Sequence, residues 1–398
     1  MQDLNETVEK ARKLFVPSVN DKKKLDIIST KIINSLSDLT SKKKLSIEFK
    51  FSGSYAKGTW VKGESDIDIL AIFQKEADIK NLNLIIPKGF VAAFGTRKYF
   101  RGYFGGAEIE IVPIVKFSDI KKVKNSIDLS ILHADYINSS LSEEQKNDVI
   151  ILKVLCKANG CYGSETYMHG FSGYALEVMI NKFGSLAHLI DEVETWKEKV
   201  VLGEKIGITD YPIYLPDPTN ASRNICASVS LDHLSKFIFA LKQLKISPSI
   251  SLFLRKSIKG AVMAQKKRRN TMLFTFTTPI KEPKDMFLSK YVKNANKLLD
   301  ELRKEDIEVY SIDFDYSKNN AVMFMQVANT PKTKTRAVYG PSVFSPSSII
   351  IEFMKVHRDV FIVENRLCYD KIYGIKDFNK FILLKIKEYM SQKSILNN

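Results

Sequence analysis

The chain has 398 residues, more than one compact core accommodates and enough for roughly two to four domains, which excludes a peptide-sized module. Hydrophobic residues make up 44% and charged residues 27%, so wholesale disorder is excluded as well. Lys and Arg number 61 against 45 Asp and Glu, and the net charge of +16 favours a polyanionic partner, nucleic acid ahead of a membrane surface.

Residues 5 to 36 carry apolar side chains at helical spacing among many lysines, and after Ser41-Lys42-Lys43-Lys44 the period changes. Ile47, Phe49 and Phe51 alternate with Glu48, Lys50 and Ser52, the pattern of a half-buried strand that runs directly into Gly53-Ser54. A second extended run covers Asp66 to Phe73 and a third covers Ala107 to Pro113, giving a sheet-rich, mixed α/β first module. From about residue 141 the pattern turns helical, with Val149, Ile150, Leu152, Val154, Leu155 and Cys156 around Lys153 and Lys157, and Gly160 placed as the stop. Ser172 is expected to cap a helix from Gly173 to Phe183, ended by Gly184. Ser247-Pro248-Ser249 and the basic run Lys266 to Arg269 fall near a transition to a third domain. That domain combines alternating strands, Met272 to Thr277 and Val322 to Val327, with helices over Tyr291 to Leu302 and Asp377 to Met390. Neither an internal repeat nor a low-complexity segment is present.

The cysteines Cys156, Cys161, Cys226 and Cys368 include no Cys-x-x-Cys pair, which points to neither a structural zinc nor a disulfide framework and suits a reducing compartment. The segment Met1 to Glu6 lacks a basic n-region followed by an apolar h-region, and no stretch approaches the roughly 18 apolar residues that span a bilayer. A soluble cytoplasmic protein without a membrane partner is the expectation.

Alternate residues of a strand share a face, so Asp66 and Asp68 can grip one cation. A third acid from a neighbouring strand, for which Glu110 in Glu108-Ile109-Glu110-Ile111 is the candidate, would complete an oxygen-rich site suited to Mg²⁺. Such a site could hold two metals, one activating a hydroxyl and the other neutralising a triphosphate and its leaving pyrophosphate. An isolated Asp-x-Asp could equally solvate the outer face of an edge strand. The context favours chemistry: upstream stands Gly53-Ser54-Tyr55-Ala56-Lys57-Gly58-Thr59, where Gly53 admits backbone amides to a phosphate, Ser54 offers a hydroxyl and Lys57 a charge. Strand, Gly-Ser turn and Asp-x-Asp strand form a joint signal more specific than either part.

These residues resemble the nucleotidyltransferase superfamily that includes DNA polymerase beta, whose signature is Gly-Ser followed by Asp-x-Asp. Further segments extend the likeness: Cys161-Tyr162-Gly163-Ser164-Glu165-Thr166, Gly170-Phe171-Ser172-Gly173-Tyr174, and Asp217-Pro218 ahead of Arg223-Asn224. In this order they resemble the class I, archaeal-type CCA-adding family of tRNA nucleotidyltransferases, over about residues 20 to 375. That likeness implies a multidomain α/β and α+β fold. A polymerase-beta-like mixed sheet with helices would form a catalytic head over 1–140, and a helical, nucleotide-binding neck would cover 141–255. An α+β RNA-binding body would cover 256–375, followed by a shortened helical tail over 376–398. It also implies template-independent addition of C, C and A to the 3′ end of immature tRNA, with CTP and ATP as substrates and the tRNA acceptor stem and 3′ end as partner. A homodimer is left open.

Carried over residue by residue, the resemblance makes Asp66 and Asp68 the metal-binding pair, with Glu110 where an Asp is usual. It makes Gly53, Ser54 and Lys57 the triphosphate turn, Lys57 standing where an arginine is common. Ser130 and His133 match a Thr and a His near the phosphates, Lys153 and Tyr162 match a phosphate-binding Lys and Tyr, and Arg223 matches the arginine that reads the incoming base. Each has a plainer alternative: a snorkelling Lys153, a packed His133, a core Tyr162, a helix-end Arg223. Arg97-Lys98-Tyr99 replaces a usual His-Pro-Tyr near the ribose. Lys266, Lys267, Arg268 and Arg269, together with Lys332, Lys334 and Arg336 on one face of an extended segment, are candidates for RNA phosphate contact or simply a solvated basic rim. The rival functions are another RNA terminal nucleotidyltransferase, such as a poly(A) polymerase or a partial CC- or A-adding enzyme, and an RNA-binding relative with weakened chemistry.

Overall fold

A computed structural model describes residues 3–391 apart from 65, 95–96, 118–122, 124–125, 166, 205–209, 255–270, 306, 317–318, 329–332 and 364. The chain divides into two compact units, Met1–Arg255 and Lys256–Asn398.

The first unit opens with helices α1 (Leu4–Phe15) and α2 (Val19–Lys42). The sequence reads as one helical stretch here, but Pro17 lacks an amide and Ser18 caps α2, its hydroxyl accepting from the Asp21 amide while the Asp21 carboxylate accepts in return. A five-stranded sheet follows, in the order β1-β2-β5-β4-β3. Its members are β1 (Glu48–Ser52), β2 (Asp66–Phe73), β3 (Val91–Phe94), β4 (Lys98–Phe104) and β5 (Ala107–Val115). Only β2 and β5 run parallel; the other neighbours are antiparallel. Strands β3 and β4 go beyond the three runs legible in the sequence: β3 is a short edge whose Val91 and Phe94 are exposed, so no alternation marks it.

The alternation of β2 and β5 sets up the site. Ile67, Ile69, Ile109 and Ile111 point to one face and pack with Leu25, Ile32 and Leu36 of α2 and with Leu82 and Ile85. On the opposite face the strands change character along their length. Asp66, Asp68, Glu108 and Glu110 come first, then Leu70, Ile72 and Ile114, which pack with Ile127 and with Ile131 of α4 (Ser130–Ser140). The acidic beginning of that face is left open.

Helices α5 (Glu143–Ala158), α6 (Gly173–Phe183), α7 (Leu186–Glu192) and α8 (Leu231–Ile246) form a second, largely apolar cluster. The expected caps are in place. Ser172 accepts from the Ala175 amide, Gly184 ends α6 at φ +84°, and Gly160 follows α5 at φ +69°. Two short ladders join this cluster: β6 (Val200–Val201) with β7 (Ile213–Tyr214), and β8 (Pro216–Asp217) with β9 (Asn220–Asn224).

In the second unit β10 (Thr271–Pro279), β12 (Asn320–Ala328) and β11 (Val309–Tyr316) form an antiparallel sheet in that order. Helix α9 (Lys284–Lys304) buries Phe287, Tyr291, Leu298 and Leu302. A second sheet holds β13 (Thr333–Ser342), β15 (Arg366–Gly374) and β14 (Phe361–Val363), with α10 (Ser347–Val356) beside β13. Helix α11 (Ile375–Met390) buries Phe378, Ile382, Ile386 and Met390, and packs on α9 and β10. The Thr278 hydroxyl donates to the Met390 carbonyl and the Asn294 amide to that of Tyr389, so the segment read as a tail begins with a helix integral to this unit.

Among the described residues no helix is long and apolar enough to cross a membrane. All four cysteines are free and buried.

Candidate active site

The register of β1 on β2 places Ser52 opposite Asp68, so the next residue, Gly53, lies directly beside that carboxylate. Gly53 has φ +63°, and a Cβ there would fall 1.6 Å from Asp68 Oδ2. Glycine is required both by the left-handed backbone and by the acid pressed against it. The chain then turns at once into α3 (Gly53–Lys57), which carries Ser54 and Lys57 into the same cavity.

That cavity, about 410 Å³, is lined by Gly53, Ser54, Lys57, Asp66, Asp68, Glu110, Lys153 and Tyr162, drawn from four separate stretches of sequence. Parallel pairing sets Asp66 beside Glu108 and Asp68 beside Glu110. The carboxyl of Asp68 is pushed up to about 7 by burial and by the charges of Glu110 and Asp66; that of Asp66 is raised by burial and by Glu108. Arg101 of β4, facing Glu110 across the ladder, reaches Glu110 with Nη2 at 2.6 Å and Glu108 with Nε at 3.2 Å. Glu110 is thus engaged by a guanidinium, and among the described residues no three acidic, His or Cys side chains converge closely enough to hold an ion. The three-acid clamp expected from sequence is present as an Asp66–Asp68 pair with Glu110 drawn aside.

Opposite the acids lies a buried basic cluster. Glu177 of α6, 1% exposed, receives Lys57 Nζ on Oε2 and Lys153 Nζ on Oε1, each at 2.8 Å. The Thr59 hydroxyl also donates to Oε1, at 2.6 Å, and Lys153 donates further to the Thr59 carbonyl and hydroxyl oxygens. Burial alone would raise Glu177, but the ammonium groups of Lys153 and Lys57 override it and hold the carboxyl at about 2. Burial pulls Lys153 below the ordinary lysine range, with Glu177 opposing. A Cβ on Gly173 would stand 3.0 Å from the Tyr162 hydroxyl and 3.2 Å from Lys153 Cε, so this glycine keeps the lysine and tyrosine at the cavity wall.

Ser130, His133 and Arg223 gather in a neighbouring cavity of about 260 Å³ that shares Tyr174 with the first. Its organiser is Asp217, which is fully buried. Asp217 accepts from the Tyr174 hydroxyl at 2.9 Å, from the Thr219 amide and hydroxyl, and from Arg223 Nη1 at 3.2 Å, with His133 Nε2 at 3.3 Å. Burial notwithstanding, these partners hold its carboxyl well below the usual range. His133 stacks on Tyr174 with ring centroids 3.9 Å apart, so neither His133 nor Arg223 is a casual surface group.

Arg97 departs from the cavity. It pairs with Asp128 and Glu76 and is almost wholly buried, so it buttresses the sheet edge. Lys266, Lys267, Arg268, Arg269 and Lys332 lie outside the described residues; Lys334 and Arg336 sit two apart on β13, opposite Tyr373 and Lys371 in the ladder. Sequence reasoning missed Glu177, Asp217, Tyr174 and Arg101 as site members. Glu177 did leave a signal, a lone carboxylate within the apolar run Ala175-Leu176-Glu177-Val178-Met179-Ile180. Arg101 left none, because its role depends on which strand pairs with β5.

Comparison with known proteins matches this arrangement. Residues 30–137 match the nucleotidyltransferase domain family, and residues 147–254 match the second domain of tRNA nucleotidyltransferases. The chain is 25% identical to a CCA-adding enzyme of Saccharolobus islandicus, covering 95% of this chain and 92% of that one. It is 27% identical to a CCA-adding enzyme of Methanothermobacter thermautotrophicus, over 89% and 82% of the two chains. Among solved structures, the RNA terminal uridylyl transferase Cid1 superposes with a TM-score of 0.49 at 14% identity, over 64% of this chain and 98% of that chain. With both domains matched in tandem and likeness to the curated enzymes running along nearly the whole sequence, the chain belongs to the archaeal-type CCA-adding family of tRNA nucleotidyltransferases.

Proposed function

We propose that this chain adds C, C and A to the 3′ end of immature tRNA from CTP and ATP, without a nucleic-acid template and with release of pyrophosphate. The observation that carries this reading is the single cavity in which an Asp66–Asp68 strand, the Gly53-Ser54 turn and the paired lysines 57 and 153 face one another. Acids on one side and ammonium groups on the other suit a nucleoside triphosphate bound through a hard divalent cation.

The residues fit Mg²⁺ on charge. Asp66, Asp68 and Glu110 bring like charges together, the Asp68 carboxyl being raised by burial and by the other two, and the donors are all oxygens. In this reading Asp66 and Asp68 would hold the ion, with Glu110, here paired with Arg101, as the third carboxylate of the set. Bound Mg²⁺ supplies Lewis-acid stabilisation of the hydroxyl and of the phosphates. The chain's own groups position the substrates: the Gly53-Ser54 turn, Lys57, Lys153 and Tyr162 take phosphate oxygens, and Ser130 and His133 flank them. Arg223, fixed by Asp217, presents a planar guanidinium to the base edge. The 3′-hydroxyl oxygen bonds to the α-phosphorus as the α–β phosphoanhydride breaks. Head, neck and body over 1–140, 141–255 and 256–375 divide catalysis, nucleotide binding and RNA binding. Lys266, Lys267, Arg268 and Arg269, with Lys332, Lys334 and Arg336, would contact phosphates of the acceptor stem. The four unpaired thiols suit a cytoplasmic setting.

The test is incubation of pure protein, Mg²⁺ and single nucleotides with tRNA transcripts lacking all, two or one of the terminal CCA residues. Stepwise C, C and A addition is expected. A homopolymer tail would identify a relaxed terminal transferase, addition of C alone or A alone a partial enzyme, and no extension of any transcript would count against the reading.

A further inference from the structure

We propose that Glu177 is a positioning residue for the triphosphate: each of its carboxylate oxygens holds one lysine, so that Lys57 and Lys153 are aimed at the cavity before a nucleotide arrives. This rests on the nucleotide reading above. The cost of the arrangement argues for its use. A carboxylate with 1% exposure within the apolar run Ala175 to Ile180 is expensive to desolvate and persists only when fully paired, and apolar residues in place of Glu177 and both lysines would hold α6 at least as well. Both of its lysine partners line the cavity, whereas a bridge made only to join α3 and α6 has no reason to expose its cations there.

The hydrogen bonds show how the work is shared. Lys153 spends its three donors on Glu177 and on the carbonyl and hydroxyl of Thr59, so it acts on a ligand chiefly through its charge. Lys57 donates to Glu177 and lies over the Tyr174 ring at 5.1 Å, which leaves N–H groups for a phosphate oxygen. Two ammonium groups with one carboxylate leave the cluster a single positive charge, enough to attract a polyanion without the full repulsion of an unshielded lysine pair. The charged and titratable groups that share the cavity with Lys153 are Glu177 and Tyr174 of α6, Lys57 of α3, Tyr162 after α5, Asp66 and Asp68 of β2, Arg101 of β4, and Glu108 and Glu110 of β5, while Lys157 stands one turn along its own helix, itself paired with Glu64. Glu177 favours the protonated amine of Lys153 against burial, Lys57 and Lys157. Without it, both ammonium groups lose their shared acceptor, and burial and like charge act on Lys153 unopposed by that carboxylate.

Calorimetric titration of the full chain with ATP and with CTP, from about pH 6.5 to about 8.5, tests this. The wild-type affinity sets the reference profile, which includes the titration of Asp68 in the same cavity. Relative to it, Glu177→Gln should bind about tenfold more weakly at neutral pH and fall further behind as pH rises, with KM increased more than kcat is reduced. Glu177→Asp, which keeps the charge but is too short to span both lysines, should bind weakly with a pH profile parallel to that of wild type. A Glu177→Gln protein that melts earlier yet binds like wild type at every pH would overturn the proposal, leaving Glu177 a structural bridge, and so would tighter binding, which would make it a mere repellent. Should Glu177→Gln fail to fold, wild-type affinity in Glu177→Asp overturns the proposal by itself and weakened binding supports it. If wild type binds neither nucleotide, the nucleotide reading fails and takes this proposal with it.

Discussion

The acidic strands β2 and β5 and the lysine pair held by α6 line one cavity and differ in how their charge is met. Among the lysines every charge has a partner: one buried carboxylate serves two ammonium groups and a hydroxyl. Among the acids, Arg101 pairs with Glu110 and Glu108, and burial together with the charges of Glu110 and Asp66 lifts the Asp68 carboxyl to about 7 against the opposing charges of Lys57 and Arg101. The lysine group has its acceptor within the fold, with donors of Lys57 left over; the acidic group would be balanced by the cation proposed above. Local charge frustration of this kind, maintained beside a satisfied cluster, is what a site for an exogenous cation looks like.

The contrast can be broken most directly at the acids. Asp66→Ala or Asp68→Ala should reduce nucleotide addition to below about one part in a thousand while leaving tRNA affinity within about twofold, as read by primer extension and by electrophoretic mobility shift. Full activity in either variant would unseat the proposed role of the pair. A smaller effect, on stability, is expected at Gly53→Ala. The new methyl group meets the Asp68 carboxylate and forces a left-handed backbone on alanine, so denaturant unfolding should show a loss of about 2–4 kcal/mol.

The smallest effect sharpens the comparison most, because its sign is unusual. The Asp68 carboxyl titrates higher in the folded chain than in the unfolded one, so the folding penalty is absent below the unfolded value near 3.8, grows as pH rises, and is complete above about 7. In chelator at about pH 8, Asp68→Asn should therefore raise stability by about 1–2 kcal/mol, and the gain should fade as pH falls toward 4. An equivalent removal of Glu177, whose carboxyl is held low, should destabilise at the same pH. If Asp68→Asn destabilises in chelator, the acidic face is not frustrated.

What could be read from sequence was local. The alternation of β2, the Ser172 cap, the Gly184 stop and the apolar period around Lys153 each depend on residues within a few positions, and they place Asp66 and Asp68 on their strand and Lys153 on its helix; Lys57, read as part of a turn, stands on α3, and Arg223, with no strand expected for it, stands on β9. The interruption at Pro17-Ser18 was also available locally and was passed over in favour of a continuous helical period. Strand order was not available. Arg101 matters only because β4 pairs with β5, and Glu110 is diverted only because Arg101 faces it. Glu177 and Asp217 became site members through contacts 120 and 84 residues away in sequence, with Lys57 and His133. The same holds for α11, whose helical period was plain while its place on α9 and β10 followed from long-range burial.

Helix α6 begins between the two cavities and supplies both. Gly173 and Tyr174 stand in its opening turn, Tyr174 touches Asp217 on one side and lies under Lys57 on the other, and Glu177 follows one turn later. Those few residues rise only about 6 Å along the axis. Phosphate tail and base would thus be measured against the same short rigid ruler, and any rotation of that helix would retune grip and discrimination together, never one alone.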